Sequence, residues 1–208
     1  MFTLFHCINT RSFRCLWLLE TLSLPYELQV IPFPPRVKSP EYLELNPLGT
    51  VPLLLAEGIR MTESCAILQY LATFSGPSDL AVSPGDPEYA AWLNWLHFGE
   101  ATLTFPQTLV LRYSRFEPEG RRHPQIVDDY TQWFRSRLKE IDRVLVDQQW
   151  LCAGRFTAAD ISVGYALMLA CRIGLGGSLS PQLTAYWQRL QQTEGYLRAI
   201  AAQGTPVQ

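Results

Sequence analysis

The stretch Asn46-Pro47-Leu48-Gly49-Thr50-Val51-Pro52-Leu53-Leu54-Leu55 constrains this chain more than any other. An apolar run begins directly after Val51-Pro52. Proline cannot donate to a sheet ladder, so it belongs at a strand's first residue or at an edge. An X-Pro bond at such a place is also open to the cis form, which would turn the Val51 N–H and C=O towards a ligand. Glu57-Gly58 then reads as the turn of a hairpin, and Thr62-Glu63-Ser64 opens an amphipathic segment from Cys65 to Phe74. Free N–H groups and the helix dipole at such a start favour a carboxylate. Glu63 adds an acceptor for an ammonium. Together these features suit a small peptide with a free amino group and a free carboxylate.

The flanking elements alternate in type. Phe2–Phe5 and Tyr26–Ile31 read as strands around a helix over Ser12–Leu22, with Leu16, Leu19 and Leu22 on one stripe. Pro32-Phe33-Pro34-Pro35 stops the second strand, Pro40–Leu45 reads as a short helix, and Leu53–Ala56 pairs with Ile59–Met61. Turn formers from Gly76 to Pro87 place a linker there. Beyond it strand signals vanish. Glu88–Tyr113, the stretch opened by Pro124, Ala158–Ile173, Gln182–Gln191 and Gly195–Ala202 all read as helices. Ala158–Ile173 is nearly apolar throughout, which makes it the expected central helix. Thr157 and Asp160 have capping-box spacing in front of it, so they read as a folding signal rather than a substrate site.

These motifs, in this order, resemble the glutathione S-transferase superfamily over nearly the whole chain. The matching pieces are Asn9-Thr10-Arg11-Ser12-Phe13-Arg14-Cys15-Leu16-Trp17-Leu18-Leu19-Glu20, Leu24-Pro25-Tyr26-Glu27, Asn46 to Pro52, Thr62-Glu63-Ser64 and Phe156-Thr157-Ala158-Ala159-Asp160-Ile161. The resemblance implies a thioredoxin-like α/β domain over residues 1–77 and an all-helical domain over 86–208. It implies transfer of the glutathione thiolate to a hydrophobic electrophile, as in detoxification. Glutathione is then a co-substrate, and no separate cofactor or metal is implied. A homodimer is the expected assembly.

The resemblance also assigns roles. Glu63 and Ser64 would hold the γ-glutamyl ammonium and carboxylate, and Val51, beside Pro52, would pair its backbone with the cysteinyl amide. The position of a catalytic serine in many relatives falls on Asn9, followed by Thr10. The Thr10 hydroxyl is the expected thiolate donor, with Asn9 assisting and Ser12 in reserve, since a donor at the first helix lowers a thiol pKa from its usual ~8.5. Taken singly, each of the three also fits a helix cap. Thr50 stands where many relatives carry Lys or Gln against the glycyl carboxylate, which leaves Lys38, Arg36 or Arg11 to supply that charge. Among the aromatics of the helical half, Phe105, next to Pro106, and Tyr113 are the candidates to line the electrophile site.

Composition removes other classes. The chain has 208 residues, 48% of them hydrophobic, and a net charge of −2, so no global field draws nucleic acid or an anionic membrane. No apolar run is long enough to cross a bilayer, and no secretory signal is expected at the start of the sequence. Five scattered cysteines fit free thiols in a reducing cytoplasm. Two further readings come from other classes. One is a glutathione-dependent oxidoreductase or peroxidase using Cys7. The other is a binding module that keeps the fold without the thiol chemistry.

Overall fold

The computed structural model describes residues 1–74, 76 and 78–204; the expected domain limits at 77 and 208 lie outside them. The chain divides into two compact units. The first comprises Met1–Ser78 and the segment from Gln191 onward, and the second is Asp79–Leu190.

The first unit is thioredoxin-like. Strands β1 (Phe2–His6), β2 (Tyr26–Val30), β3 (Leu53–Ala56) and β4 (Ile59–Met61) form a mixed sheet in the order β2-β1-β3-β4. β1 runs parallel to β2 and antiparallel to β3, with Leu4 opposite both Leu28 and Leu54. Alternation along β1 buries Phe2, Leu4 and His6 on one face, so a histidine enters the core and must find polar partners there. Helix α1 (Phe13–Leu22) is buried on every side from Phe13 to Leu19, because it packs on β1, on α4 (Ser64–Phe74) and on α10 (Glu194–Gln203).

Two expectations are corrected in this unit. The proline run after β2 does not only stop a strand. Pro35 opens a short helix α2 (Pro35–Lys38), followed by α3 (Tyr42–Leu45). At a first helical position a missing N–H leaves nothing unpaired. The second correction concerns residues beyond Gln191, expected in the helical domain over 86–208. Tyr196 packs edge-on against Phe13 at 5.7 Å and Trp17 at 4.9 Å, while Arg198 bonds the Glu20 carboxylate at 3.2 Å and its carbonyl at 2.6 Å. These contacts tie α10 to α1.

The second unit is helical. One winding path runs through α5 (Tyr89–His97), a π-helical turn over Phe98–Thr104, α6 (Phe105–Leu111) and a second π-helical turn over Arg112–Phe116. The first π turn precedes Pro106, so the proline enters α6 in its first turn rather than breaking one helix at its middle. Helices α7 (Pro124–Leu145), α8 (Ala158–Ile173) and α9 (Pro181–Gln191) complete it. Nearly all of α8 is buried. The path crosses it closely at Gly99, where a Cβ would meet Ser162 Oγ at 2.4 Å.

The start of α8 is a complete capping box. The Thr157 side chain accepts from Ala159 N–H at 3.3 Å, and Asp160 Oδ2 accepts from Thr157 N–H at 2.8 Å. Asp160 Oδ1 also receives Tyr186 Oη at 2.7 Å and Leu151 N–H at 3.1 Å. Full burial raises its pKa to about 6, against the pull of these hydrogen bonds.

Candidate active site

Asn46 builds the loop that leads to Val51. Its buried side chain accepts from Leu48 N–H at 3.3 Å and donates from Nδ2 to the Thr50 carbonyl at 2.8 Å, where Tyr42 Oη donates as well. Gly49 adopts φ +59 with Arg36 pressed against it, and a Cβ would lie 2.6 Å from Arg36 Cβ. Asn46 and Gly49 thus serve the loop's shape. The Val51–Pro52 peptide is cis. Val51 lies before β3 begins, and among the described residues its N–H and C=O have no hydrogen-bond partner.

The start of α4 faces a different electrostatic setting. Glu63 accepts Ile67 N–H on its backbone at 2.9 Å, as an N-cap residue does, and its exposed carboxylate has no partner among the described residues. Ser64 is buried. The Arg14 guanidinium, itself fully buried, donates to Ser64 Oγ at 3.3 Å. A cation beneath the hydroxyl and a helix N-terminus beside it favour an anion. The Glu63 carboxylate at the same place favours a cation. The pair therefore suits a zwitterionic amino-acid end. Arg14 was not among the expected site residues; nothing in the sequence marks it as lying under Ser64, fifty positions away.

The loop before α1 holds the other candidates. Ser12 is fully buried, with Oγ 2.8 Å from His6 Nδ1 and accepting from Cys7 N–H at 3.3 Å. Thr10 Oγ1 donates to the Cys7 carbonyl at 2.8 Å and lies 2.9 Å from Ser12 Oγ. Asn9, with φ +62, stands in the left-handed region that asparagine tolerates. Its N–H donates to Gln203 Oε1 and its Oδ1 accepts from Gln203 Nε2, each at 3.1 Å. Gln203 and His6 were missed in the sequence, and no local pattern points to either.

Cys7 is fully buried, its Sγ is 3.8 Å from the Pro32 carbonyl, and burial pushes its thiol pKa up to about 12. Such a thiol is neither ionised nor accessible at neutral pH, so the oxidoreductase reading is not favoured. Lys38 and Arg36 are exposed on α2, Arg11 is half-buried, and Thr50 is exposed. In the second unit Phe105 is 53% exposed and Tyr113 is half-buried, with the Arg112 guanidinium 5.7 Å from its ring. No helix among the described residues is long and apolar enough to cross a membrane.

Residues 10–73 match the family described as the glutathione S-transferase N-terminal domain. Glutathione S-transferase 3 of Schizosaccharomyces pombe is 32% identical over 184 residues, spanning 83% of this chain and 75% of that protein. Glutathione S-transferase GST-4.5 of Xanthomonas campestris is 29% identical over 182 residues, 87% of this chain and 88% of that one. Among solved structures, the bacterial GST BphK in a ternary complex has a TM-score of 0.85 at 26% identity, covering 98% of this chain and 100% of its own. With a relative this similar over most of its length, and with the thioredoxin-like unit that the relatives share, the chain belongs to the glutathione S-transferase family and is an enzyme of that kind.

Proposed function

We propose that this transferase holds glutathione on Val51, Glu63 and Ser64 and passes its thiolate to a hydrophobic electrophile. The free Val51 backbone takes the cysteinyl amide as a short added strand. Glu63 takes the γ-glutamyl ammonium, and Ser64, over buried Arg14, takes the γ-glutamyl carboxylate. The thiol loses its proton to solvent, and the thiolate sulfur attacks the electrophilic carbon, whose leaving group departs with the bonding pair. Stabilising the thiolate and holding it beside the electrophile supply most of the rate enhancement. Lys38, Arg36 or Arg11 answers the glycyl carboxylate, since Thr50 carries no charge. Phe105 and Tyr113 are the proposed apolar contacts of the electrophile, and a homodimer is the proposed assembly.

Within the thiolate-stabilising loop, the proton count favours Asn9 over Thr10. The single Thr10 hydroxyl hydrogen already has two protein acceptors, the Cys7 carbonyl and Ser12 Oγ. Ser12 is buried and committed to His6. The Asn9 Nδ2 hydrogens have no acceptor among the described residues. Thr10 then supports the loop, and Asn9 donates to the thiolate.

The observation that carries this reading is the unpartnered Glu63 carboxylate at the start of α4, beside Ser64 and the buried Arg14 charge. Calorimetry on Glu63→Ala tests it. Loss of a charge-assisted contact weakens glutathione binding roughly ten- to a hundredfold at unchanged thermal stability. Unchanged affinity would remove Glu63 from the site.

A further inference from the structure

The hydrogen-bond chain behind the Asn9 loop has one orientation, and a residue from the far end of the chain sets it. Asn9 N–H donates to the Gln203 side chain at 3.1 Å. A backbone N–H can only donate, so the Gln203 atom it meets is the amide oxygen. The Gln203 nitrogen must then be the donor in the second contact, at 3.1 Å, and the Asn9 atom it meets is Oδ1. That leaves Asn9 Nδ2, with both its hydrogens, as the end of the amide without an acceptor among the described residues.

His6 reinforces the same sense. Its Nε2 lies 3.3 Å from Gln203 Oε1, an acceptor, so Nε2 carries the ring hydrogen. Nδ1 is then an acceptor and takes the Ser12 hydroxyl hydrogen at 2.8 Å. Burial holds the His6 pKa down at about 4, so the ring is neutral and this pattern holds through neutral pH.

Gln203 reaches this place because α10 is fixed along α1. Gly195 allows the close approach, since a Cβ there would meet Thr21 Oγ1 at 2.1 Å. The Tyr196 ring contacts and the Arg198 bonds to Glu20 fix the helix further along. Gln203 is the last residue of α10 and is 5% exposed. A glutamine side chain has no reason to be buried at a helix end except to make these contacts.

We infer that Gln203 is a positioning residue of the transfer reaction: it fixes the Asn9 side-chain amide so that the nitrogen, not the oxygen, is available to the glutathione thiolate. The inference rests on the reading of Asn9 as the thiolate donor. A thiolate beside an amide nitrogen gains a hydrogen bond. A thiolate beside the amide oxygen would meet lone pairs. The orientation therefore decides the sign of the interaction.

Gln203→Glu separates the two cases with little change of shape. Its carboxylate still accepts from Asn9 N–H and His6 Nε2, but it cannot donate to Asn9 Oδ1. The Asn9 amide turns over to give a hydrogen to the carboxylate and sets its oxygen towards the thiol. The thiol pKa of bound glutathione, followed by thiolate ultraviolet absorbance against pH, rises by about one to two pH units. Near neutral pH, kcat falls roughly ten- to a hundredfold while KM for glutathione moves less than about threefold. In an Asn9→Ala background, the uncharged Gln203→Met changes neither quantity. If Gln203→Glu fails to fold, Gln203→Met keeps the length, removes all three contacts, and is read in the same way.

A thiol pKa unchanged by Gln203→Glu, while Asn9→Ala raises it, overturns the role of Gln203 and leaves the Asn9 reading in place. An effect of Gln203→Met that persists in the Asn9→Ala background also overturns it. Asn9→Ala without effect on the thiol pKa removes the reading on which the inference rests.

Discussion

Each unit of the molecule buries one polar network around a titratable group, and the two are built in opposite ways. In the helical unit, Asp160 gathers donors from Thr157, Leu151 and Tyr186, three, nine and 26 residues away. The network closes on itself, and its product is the start of α8. In the thioredoxin-like unit, His6, Ser12, Asn9 and Gln203 join positions up to 197 residues apart. Among the described residues this network does not close: it ends on an amide nitrogen with no acceptor there. A closed network serves stability, whereas one left with a spare donor can serve a ligand.

Asp160→Ala should have the largest effect. It removes a helix cap and leaves the buried hydrogens of Thr157, Leu151 and Tyr186 unpaired, which costs about 2–4 kcal/mol. Differential scanning should show a melting temperature lower by about 5–15 °C. Glutathione affinity of the folded fraction should persist. Lost affinity at unchanged melting would mean that the closed network serves a ligand after all.

The pH dependence of folding should separate the networks by sign. The His6 pKa is lowered from 6.5 to about 4, so the unfolded state binds more protons between those values. Its contribution is present above about 6.5 and is lost as pH falls through about 4, roughly 3 kcal/mol in all. The Asp160 pKa is raised from 3.8 to about 6, so the folded state binds more protons in that window. Its contribution is fully present below about 3.8 and is lost as pH rises through about 6. Denaturant titrations between pH 4 and 7 should therefore give a shallower acid loss in His6→Asn and a steeper one in Asp160→Asn. Equal slopes in the two variants would erase the distinction.

Gly195→Ala tests how the open network is carried to its place. The new methyl meets Thr21, including its Cα at 2.9 Å, so α10 must shift from α1. A destabilisation of about 1–3 kcal/mol should follow in chemical denaturation. Cys7→Ser should have the smallest effect of all. Conjugation of a model aryl halide should stay within about twofold of the parent, as befits a buried thiol outside the chemistry. Abolished turnover would return the oxidoreductase reading.

The same contrast explains what the sequence discloses. β3, β4 and α8 agree with the expected Leu53–Ala56, Ile59–Met61 and Ala158–Ile173, because each is bounded by local signals: Pro52, the Glu57-Gly58 turn, and the Thr157–Asp160 box. The candidate residues Val51, Glu63 and Ser64 are legible for the same reason, since strand, turn and helix start are contiguous. The helix α2 escaped because a proline run reads as a stop, although Pro35 also fits a first turn. The π-helical turns escaped because an apolar pattern does not distinguish five-residue from four-residue hydrogen bonding. Gln203 could not be found at all. A single polar residue at the end of a short amphipathic helix reads as surface unless its partner is known.

The docking of α10 on α1 also has a consequence in time. Translation makes the Asn9 loop 194 residues before its amide partner. At about 5–20 residues per second, the ribosome spends roughly 10–40 s between the two. Throughout that interval the sheet and α1 can form, but the loop has no Gln203 to set it. On the reading of Asn9 as the thiolate donor, a nascent chain therefore holds Val51, Glu63 and Ser64 in place well before α10 is made and can set the Asn9 amide.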